Sequence, residues 1–246
     1  MRKMIHSTKD NSRGNLFMRK SYEEFLHRLS QYRLYLNMTQ EDIGSVLGIT
    51  QSQFSKMELG KTIVPYKSLK CLMKEGWDID FLMTGKEFVR KESELVSLIK
   101  NAEEEHKPEL LYAVAWLLEQ GIFRNNSDLS FETRCELEVL KIRATGCHSE
   151  SVLYEVRKIF GISQVPMAEK LGVNIKKYRM LEKRKSDPDA ELLIRIYEVT
   201  GCKPSLLIDL GNVDNVIIDD LWQQIEYSAQ KKILMLSKQI LWFLKT

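Results

Sequence analysis

The sequence predicts an all-α protein, and three observations carry that reading. Apolar residues recur three and four apart along most of the chain, the spacing of one helix face. Glycine and proline are sparse, 12 and 5 in 246 residues. No segment alternates apolar and polar residues for long enough to make a strand. With 43% hydrophobic and 29% charged residues the chain can bury a core without metals or disulfides. Its length suits two domains, since domains mostly run to roughly 100–150 residues.

Residues 1–20 are polar and basic, with Arg2, Lys3, Lys9, Arg13, Arg19 and Lys20 among Ser, Asn and Gly. They are expected to form a flexible basic arm, either a loose tail or a strap lying along phosphates. The segment lacks the apolar core of a signal peptide, and no later stretch approaches the ~20 apolar residues of a membrane span. The chain is therefore expected in the cytoplasm, with no membrane partner. Net charge is only +3, so the distribution of charge matters more than its total. Cys71, Cys135, Cys147 and Cys202 form no CxxC pair and read as reduced thiols. Cys135, Cys147 and His148 match no familiar zinc spacing, so no metal and no cofactor is expected.

Within residues 21–85, Thr39 can cap a helix, with Asp42 three residues on as a variant capping box. Gly48 ends that helix where a positive φ is cheap, and a second helix starts near Gln51. Two short helices joined by about three residues cross steeply, which needs a small residue at the crossing and an apolar one packing back. Gly44 and Phe54 stand at those places.

The pattern then repeats. Thr39-Gln40 and Leu47-Gly48-Ile49 return as Ser163-Gln164 and Leu171-Gly172-Val173, an offset of 163 − 39 = 124. The same offset carries Phe54 onto Tyr178, Met57 onto Leu181 and Glu58 onto Glu182. With one extra loop residue, Gly76 falls on Gly201, Phe81 on Leu206 and Leu82 on Leu207. Ala168 replaces Gly44 at the crossing, and Pro166 falls in the first helical turn, where it is tolerated. Each copy, residues 21–85 and 149–210, is followed by an apolar helical stretch, 86–148 and 211–246. Leu110, Leu111, Val114, Leu117 and Leu118 form a stripe in the first. In the second, Ile233, Leu234, Leu236, Ile240, Leu241, Trp242 and Leu244 leave almost no polar face, so this helix must be covered by the rest of the chain or by another subunit.

Residues 38–43, Met-Thr-Gln-Glu-Asp-Ile, then 47–53, Leu-Gly-Ile-Thr-Gln-Ser-Gln, then Met57-Glu58 and Gly60-Lys61 resemble the phage repressor/Cro (XRE) helix-turn-helix family. Residues 78–85 are similar to the last helix of that family. Residues 163–185 and 192–207 resemble it again, less closely. Residues 94–120 are similar to the dimerisation tail that often follows this module. The resemblance implies two tandem five-helix repressor-like domains, each followed by apolar helices. It implies that the second helix of each pair lies in the major groove of double-stranded DNA, with the preceding helix seated on phosphate.

On that basis Thr50, Gln51, Ser52, Gln53, Lys56 and Lys61 are expected to face DNA in copy one, and Gln40 to bind a phosphate. Gln51 is the first candidate for direct readout, because an amide can bond adenine bidentately. Phe54 and Met57 are expected as core. Copy two offers Lys176, Lys177 and Arg179 beside Gln164, with Ile175, Lys183, Arg184 and Lys185 around them. It lacks base-reading amides, and Arg184 stands where the family carries glycine. Copy two therefore either adds affinity through phosphates or guanine, or docks a protein. Two modules in one chain suggest an asymmetric operator with half-sites roughly 34 Å apart.

Thr84-Gly85-Lys86 lacks the upstream glycine of a phosphate-binding loop, and the four histidines find no nucleophile, so no catalytic constellation is expected. The reading is a non-enzymatic, sequence-specific DNA-binding regulator, a repressor by first choice and expected as a homodimer. The alternative is a signal-sensing or antitoxin-like protein whose second module binds a peptide or protein effector.

Overall fold

The structure is a computed structural model that describes residues 10–87, 91–125, 129–146, 151–208, 211 and 213–246, with side chains from residue 20 onward except that of residue 125. Cys147 and His148 lie outside the described residues. Among the described residues there are fifteen α-helices and no strand, in agreement with the all-α expectation. The chain divides into two compact units, Met1–Glu87 with Asp187–Tyr197, and Phe88–Ser186 with Glu198–Thr246.

The first unit opens with α1 (Asp10–Tyr35), so residues 10–20, expected within the flexible arm, already belong to a helix. Tyr22, Phe25, Leu26 and Leu29 recur three and four apart and are buried. Then come α2 (Gln40–Leu47), α3 (Gln51–Glu58), α4 (Tyr66–Lys74) and α5 (Ile79–Thr84). Ile43, Phe54, Leu69, Leu72, Ile79 and Leu82 complete the core beside α1. Arg28 on α1 donates to the carbonyls of Leu82 at 2.7 Å and Met83 at 3.1 Å, supplying partners to the last turn of α5. Gly85 then closes that helix at φ 72°, which places the Thr84-Gly85-Lys86 triplet at a helix end. Val64 donates its N–H to the Tyr22 hydroxyl at 3.0 Å and accepts at its carbonyl from Ala190 N, also at 3.0 Å. Ala190 opens α12 (Ala190–Thr200), whose residues to Tyr197 belong to this unit.

The second unit contains α6 (Glu94–Lys100), a 3-10 turn at Glu104–His106, α7 (Lys107–Asn125) and α8 (Phe131–Ala144). It continues with α9 (Val152–Ile159), α10 (Gln164–Lys170), α11 (Ile175–Glu182), α13 (Pro204–Ile208), α14 (Val213–Gln223) and α15 (Tyr227–Leu244). α7 packs on α8 and α15, and α8 packs on α9 and α14. Leu110, Val114, Leu118, Leu140, Val156, Ile217 and Leu221 lie at the centre.

One buried and one half-buried ionic cluster fasten the helices of this unit. Lys203, just before α13, places Nζ 2.7 Å from Glu136 of α8 and 2.6 Å from Asp220 of α14. Burial lowers the lysine's pKa, but the two carboxylates outweigh it and leave the pKa raised, so the ammonium keeps its charge. Arg143 at the end of α8 binds Asp214 of α14 and lies 3.7 Å from Glu155 of α9. Cys71, Cys135 and Cys202 are free thiols, and burial, with a smaller contribution from Glu136, pushes Cys135 up to about 12. The described residues cover one side of α15, which packs on α7: Ile233 and Ser237 are buried, and Leu234, Ile240, Leu241 and Leu244 are half-buried.

Candidate nucleic-acid interface

In the first unit the crossing of α2 and α3 is fixed by local chemistry. Thr39 Oγ1 accepts from Asp42 N at 3.1 Å while Asp42 Oδ2 accepts from Thr39 N at 2.7 Å, a reciprocal capping box. The bonds from the Thr39 side chain and backbone hold the Asp42 carboxyl below its usual pKa. α2 stops at Gly48, φ 66°. At Gly44 a Cβ would lie 2.9 Å from the Ile49 carbonyl oxygen and 3.3 Å from Gln51 N, so only glycine lets the two helices approach this closely. A second capping box, Thr50 with Gln53, starts α3.

Phe54 is the buried residue of α3, at 1% exposure, and Met57 is half-buried. The opposite face carries Gln51, Ser52, Gln53 and Lys56, all exposed, with Thr50 before it and Lys61 beyond it also exposed. Gln53 spends its carbonyl oxygen on Thr50 N at 2.9 Å. Gln51 donates from Nε2 to Gln40 Oε1 at 2.6 Å, and Gln40 donates from its own Nε2 to Glu58 Oε2 at 2.6 Å. Glu58 in turn is bound by Arg33, whose Nε lies 2.8 Å from Oε1 and whose remaining terminal nitrogen donates to the Met38 carbonyl at 2.6 Å. Burial pushes the Glu58 pKa up, but the Arg33 and Gln40 bonds outweigh it and hold the carboxyl below its ordinary value. Gln51 is thus an exposed side chain tied through one amide hydrogen to Gln40, which leaves its carbonyl oxygen and second amide hydrogen for another partner.

The second unit repeats this clasp at the same 124-residue offset. Arg157 of α9 donates from Nε to Glu182 Oε1 at 2.6 Å and from its NH1 to the Ile162 carbonyl at 3.0 Å. Gln164 donates to the other Glu182 oxygen, and Tyr178, fully buried, reaches Oε1 at 3.3 Å. The clasp ends differently: Ile175 replaces Gln51, and Arg179 donates from Nε to Gln164 Oε1 at 3.2 Å. Lys176, Lys177 and Arg179 are exposed on α11, which Asn174 caps by accepting from Lys177 N at 2.7 Å. Ser163 makes no side-chain cap bond, unlike Thr39. Arg184 adopts φ 53° where Gly60 has φ 69°, so the backbone bend survives the loss of glycine.

The pairing of Arg33 with Glu58 was missed in the sequence, although the repeat contained the signal, since 33 + 124 = 157 is again arginine. The other expected contacts, from Gln40, Gln51, Ser52, Gln53, Lys56 and Lys61 in one copy and from Gln164, Lys176, Lys177 and Arg179 in the other, lie around the exposed faces of α3 and α11.

The two helix pairs share their local features: a positive-φ glycine just after the first helix, Gly44 or Ala168 buried on that helix, and a second helix with one buried aromatic and exposed polar residues. Residues 153–207 match the family model described as helix-turn-helix, and the match supports a DNA-binding regulatory module of the Cro/C1 type for this segment. It falls on the second copy, which reads as the less close of the two from the motifs alone. No curated protein matches the chain, and no solved structure matches it. No described helix is long and apolar enough to cross a membrane.

Proposed function

We propose that this chain is a sequence-specific regulator that binds double-stranded DNA, with α3 entering the major groove and α11 adding affinity. The observation that carries the reading is Gln51: an exposed amide on the outer face of α3, braced behind by Phe54 and oriented by Gln40. One amide hydrogen is occupied, and what remains is one donor and one acceptor, the pair that fits the major-groove edge of adenine. Ser52, Gln53 and Lys56 flank it, while Thr50 and Lys61 stand where phosphates would pass. Gln40 acts here by orienting Gln51 and by lying at the N-terminus of α2, where a phosphate is favoured.

Copy two suits a different task. Lys176, Lys177 and Arg179 are cations on a helix with no amide side chain of its own, and Arg179 is tied to Gln164. They fit phosphate contact, which raises affinity without reading sequence. We assign the chain a repressor's role on an asymmetric operator, and we infer that chains act in pairs. A peptide- or protein-binding role for the second module is the competing reading, favoured by the absence of amides from α11.

Binding of Gln51→Ala and Lys177→Ala to a site selected from random duplexes, titrated against salt, tests the proposal. Gln51→Ala should lose about 1–3 kcal/mol at the selected site and little on random DNA. Lys177→Ala should weaken both alike and lower the salt slope by about one. Equal losses in both variants on both DNAs would overturn the role of Gln51, and a Lys177 variant indistinguishable from the parent would favour the protein-binding reading of module two.

A further inference from the structure

We propose that Ile175, the first residue of α11, reads the 5-methyl group of a thymine in the major groove, so that the second module selects a base as well as holding phosphates. This deepens the DNA-binding reading above and rests on it.

The starts of α3 and α11 are built alike. The 124-residue offset carries Gln51 onto Ile175. The capping residue before each has the same backbone, φ −74° and ψ 154° at Thr50 and φ −71° and ψ 153° at Asn174. Each cap accepts from the third residue of its helix, Gln53 N at 3.2 Å and Lys177 N at 2.7 Å. The turn into each helix closes with the same bond, Ile49 N to the Gly44 carbonyl at 2.8 Å and Val173 N to the Ala168 carbonyl at 3.0 Å. Behind each lie a buried ring, Phe54 or Tyr178, and the clasp of arginine, glutamate and glutamine. The Cα–Cβ bond of Ile175 therefore leaves α11 in the direction that the same bond of Gln51 takes from α3. Ile175 is half-buried and does not belong to the buried set of α11, which is Tyr178, Leu181 and Glu182.

The chemistry at the two positions differs. Gln51 is tied to Gln40, whereas a β-branched isoleucine has few χ1 rotamers to choose from and needs no brace. The side-chain oxygen of Gln164 is taken instead by Arg179, one turn further along α11, at 3.2 Å. An aliphatic side chain offers a base neither donor nor acceptor. Laid over adenine, guanine or cytosine it would cover N7, O6 or an amino group and leave them without partners. Thymine presents a methyl group on the floor of the same groove. Isoleucine thus selects by a gain at thymine and a penalty at the other bases. The exposed cations Lys176, Lys177 and Arg179 hold phosphate, and Ile175 adds the base.

Selection of sites from random duplexes by the full chain, followed by deoxyuridine substitution, tests this. The selected sites should share a thymine whose replacement by deoxyuridine, which removes only the methyl group, weakens wild-type binding about fourfold, the worth of one buried carbon. Ile175→Ala should keep the wild-type affinity and salt slope on random DNA and be indifferent to that deoxyuridine. Ile175→Gln should change the selected base at that position from thymine to adenine and leave the other positions as they are. Deoxyuridine tolerated at every shared thymine, equal sensitivity in Ile175→Ala and the wild type, or an unchanged thymine in the sites of Ile175→Gln would each overturn the role of Ile175 and leave that of Gln51 standing. A wild type that retains no duplex at low ionic strength would overturn the DNA-binding reading itself, and this inference with it.

Discussion

Glu182→Ala should be among the most destabilising single changes in the second unit. Its side chain is 4% exposed and its partner Arg157 9%, so removal of the carboxylate leaves a buried guanidinium with the Ile162 carbonyl as its remaining hydrogen-bond acceptor among the described residues. Breaking a buried pair from one side costs about 3–5 kcal/mol. The Tyr178 hydroxyl loses the same acceptor, which adds about 1 kcal/mol, whereas the half-buried Gln164 can turn to water. A loss of roughly 4 kcal/mol is therefore expected. Replacing both partners, as Arg157→Met with Glu182→Leu, leaves no stranded charge and should cost at most about 2 kcal/mol. The coupling between the two positions should then exceed about 2 kcal/mol in a double-mutant cycle. Urea unfolding followed by far-ultraviolet circular dichroism measures it. The same cycle at Arg33 and Glu58, 10% and 8% exposed, provides an internal replicate. Additive losses in both copies would show that the clasp holds nothing, and the reasoning would fail.

Two further outcomes follow from the same residues. Arg184→Gly relieves a side chain at φ 53°, a conformation that costs a non-glycine residue about 1–2 kcal/mol, against about 0.5–1 kcal/mol of added unfolded-chain entropy; a small rise in Tm is expected, and a fall would contradict the strain. Because Glu58 is held below its ordinary 4.5, its contribution to stability is complete above that value and drains as pH falls through the lower folded-state value. Between about pH 6 and about pH 3 the melting temperature of Glu58→Gln should therefore fall less steeply than that of the wild type.

What the sequence made legible was local. Thr39 with Asp42, Gly48, Gly44 and Phe54 act within a dozen residues of one another, and the structure uses each as the motif suggests. The outer face of α3 followed from the same register. The clasp was not read, because Arg33 and Glu58 meet only once the end of α1 has been brought to the end of α3. Lys203 reads as a surface residue by type, and its burial between Glu136 and Asp220 depends on where α8 and α14 pack. Residues 10–20 look like a tail by composition yet continue a helix whose later turns are anchored by Phe25 and Leu29. Module boundaries drawn from the repeat also do not foresee that Asp187–Tyr197 joins the first compact unit, since Ala190 binds Val64 there.

The relay from Arg33 through Glu58 and Gln40 to Gln51 has a consequence for inherited variation. On the function proposed above, the rotamer that Gln51 would offer to a base traces back to the buried Arg33 guanidinium, so a substitution at residue 33 is expected to change operator choice without touching any groove-facing atom. In the duplicate the same lever terminates in a cation, Arg179. One ancestral scaffold can thus diverge in specificity by exchanging only the tip of the relay, while its root stays under selection for folding.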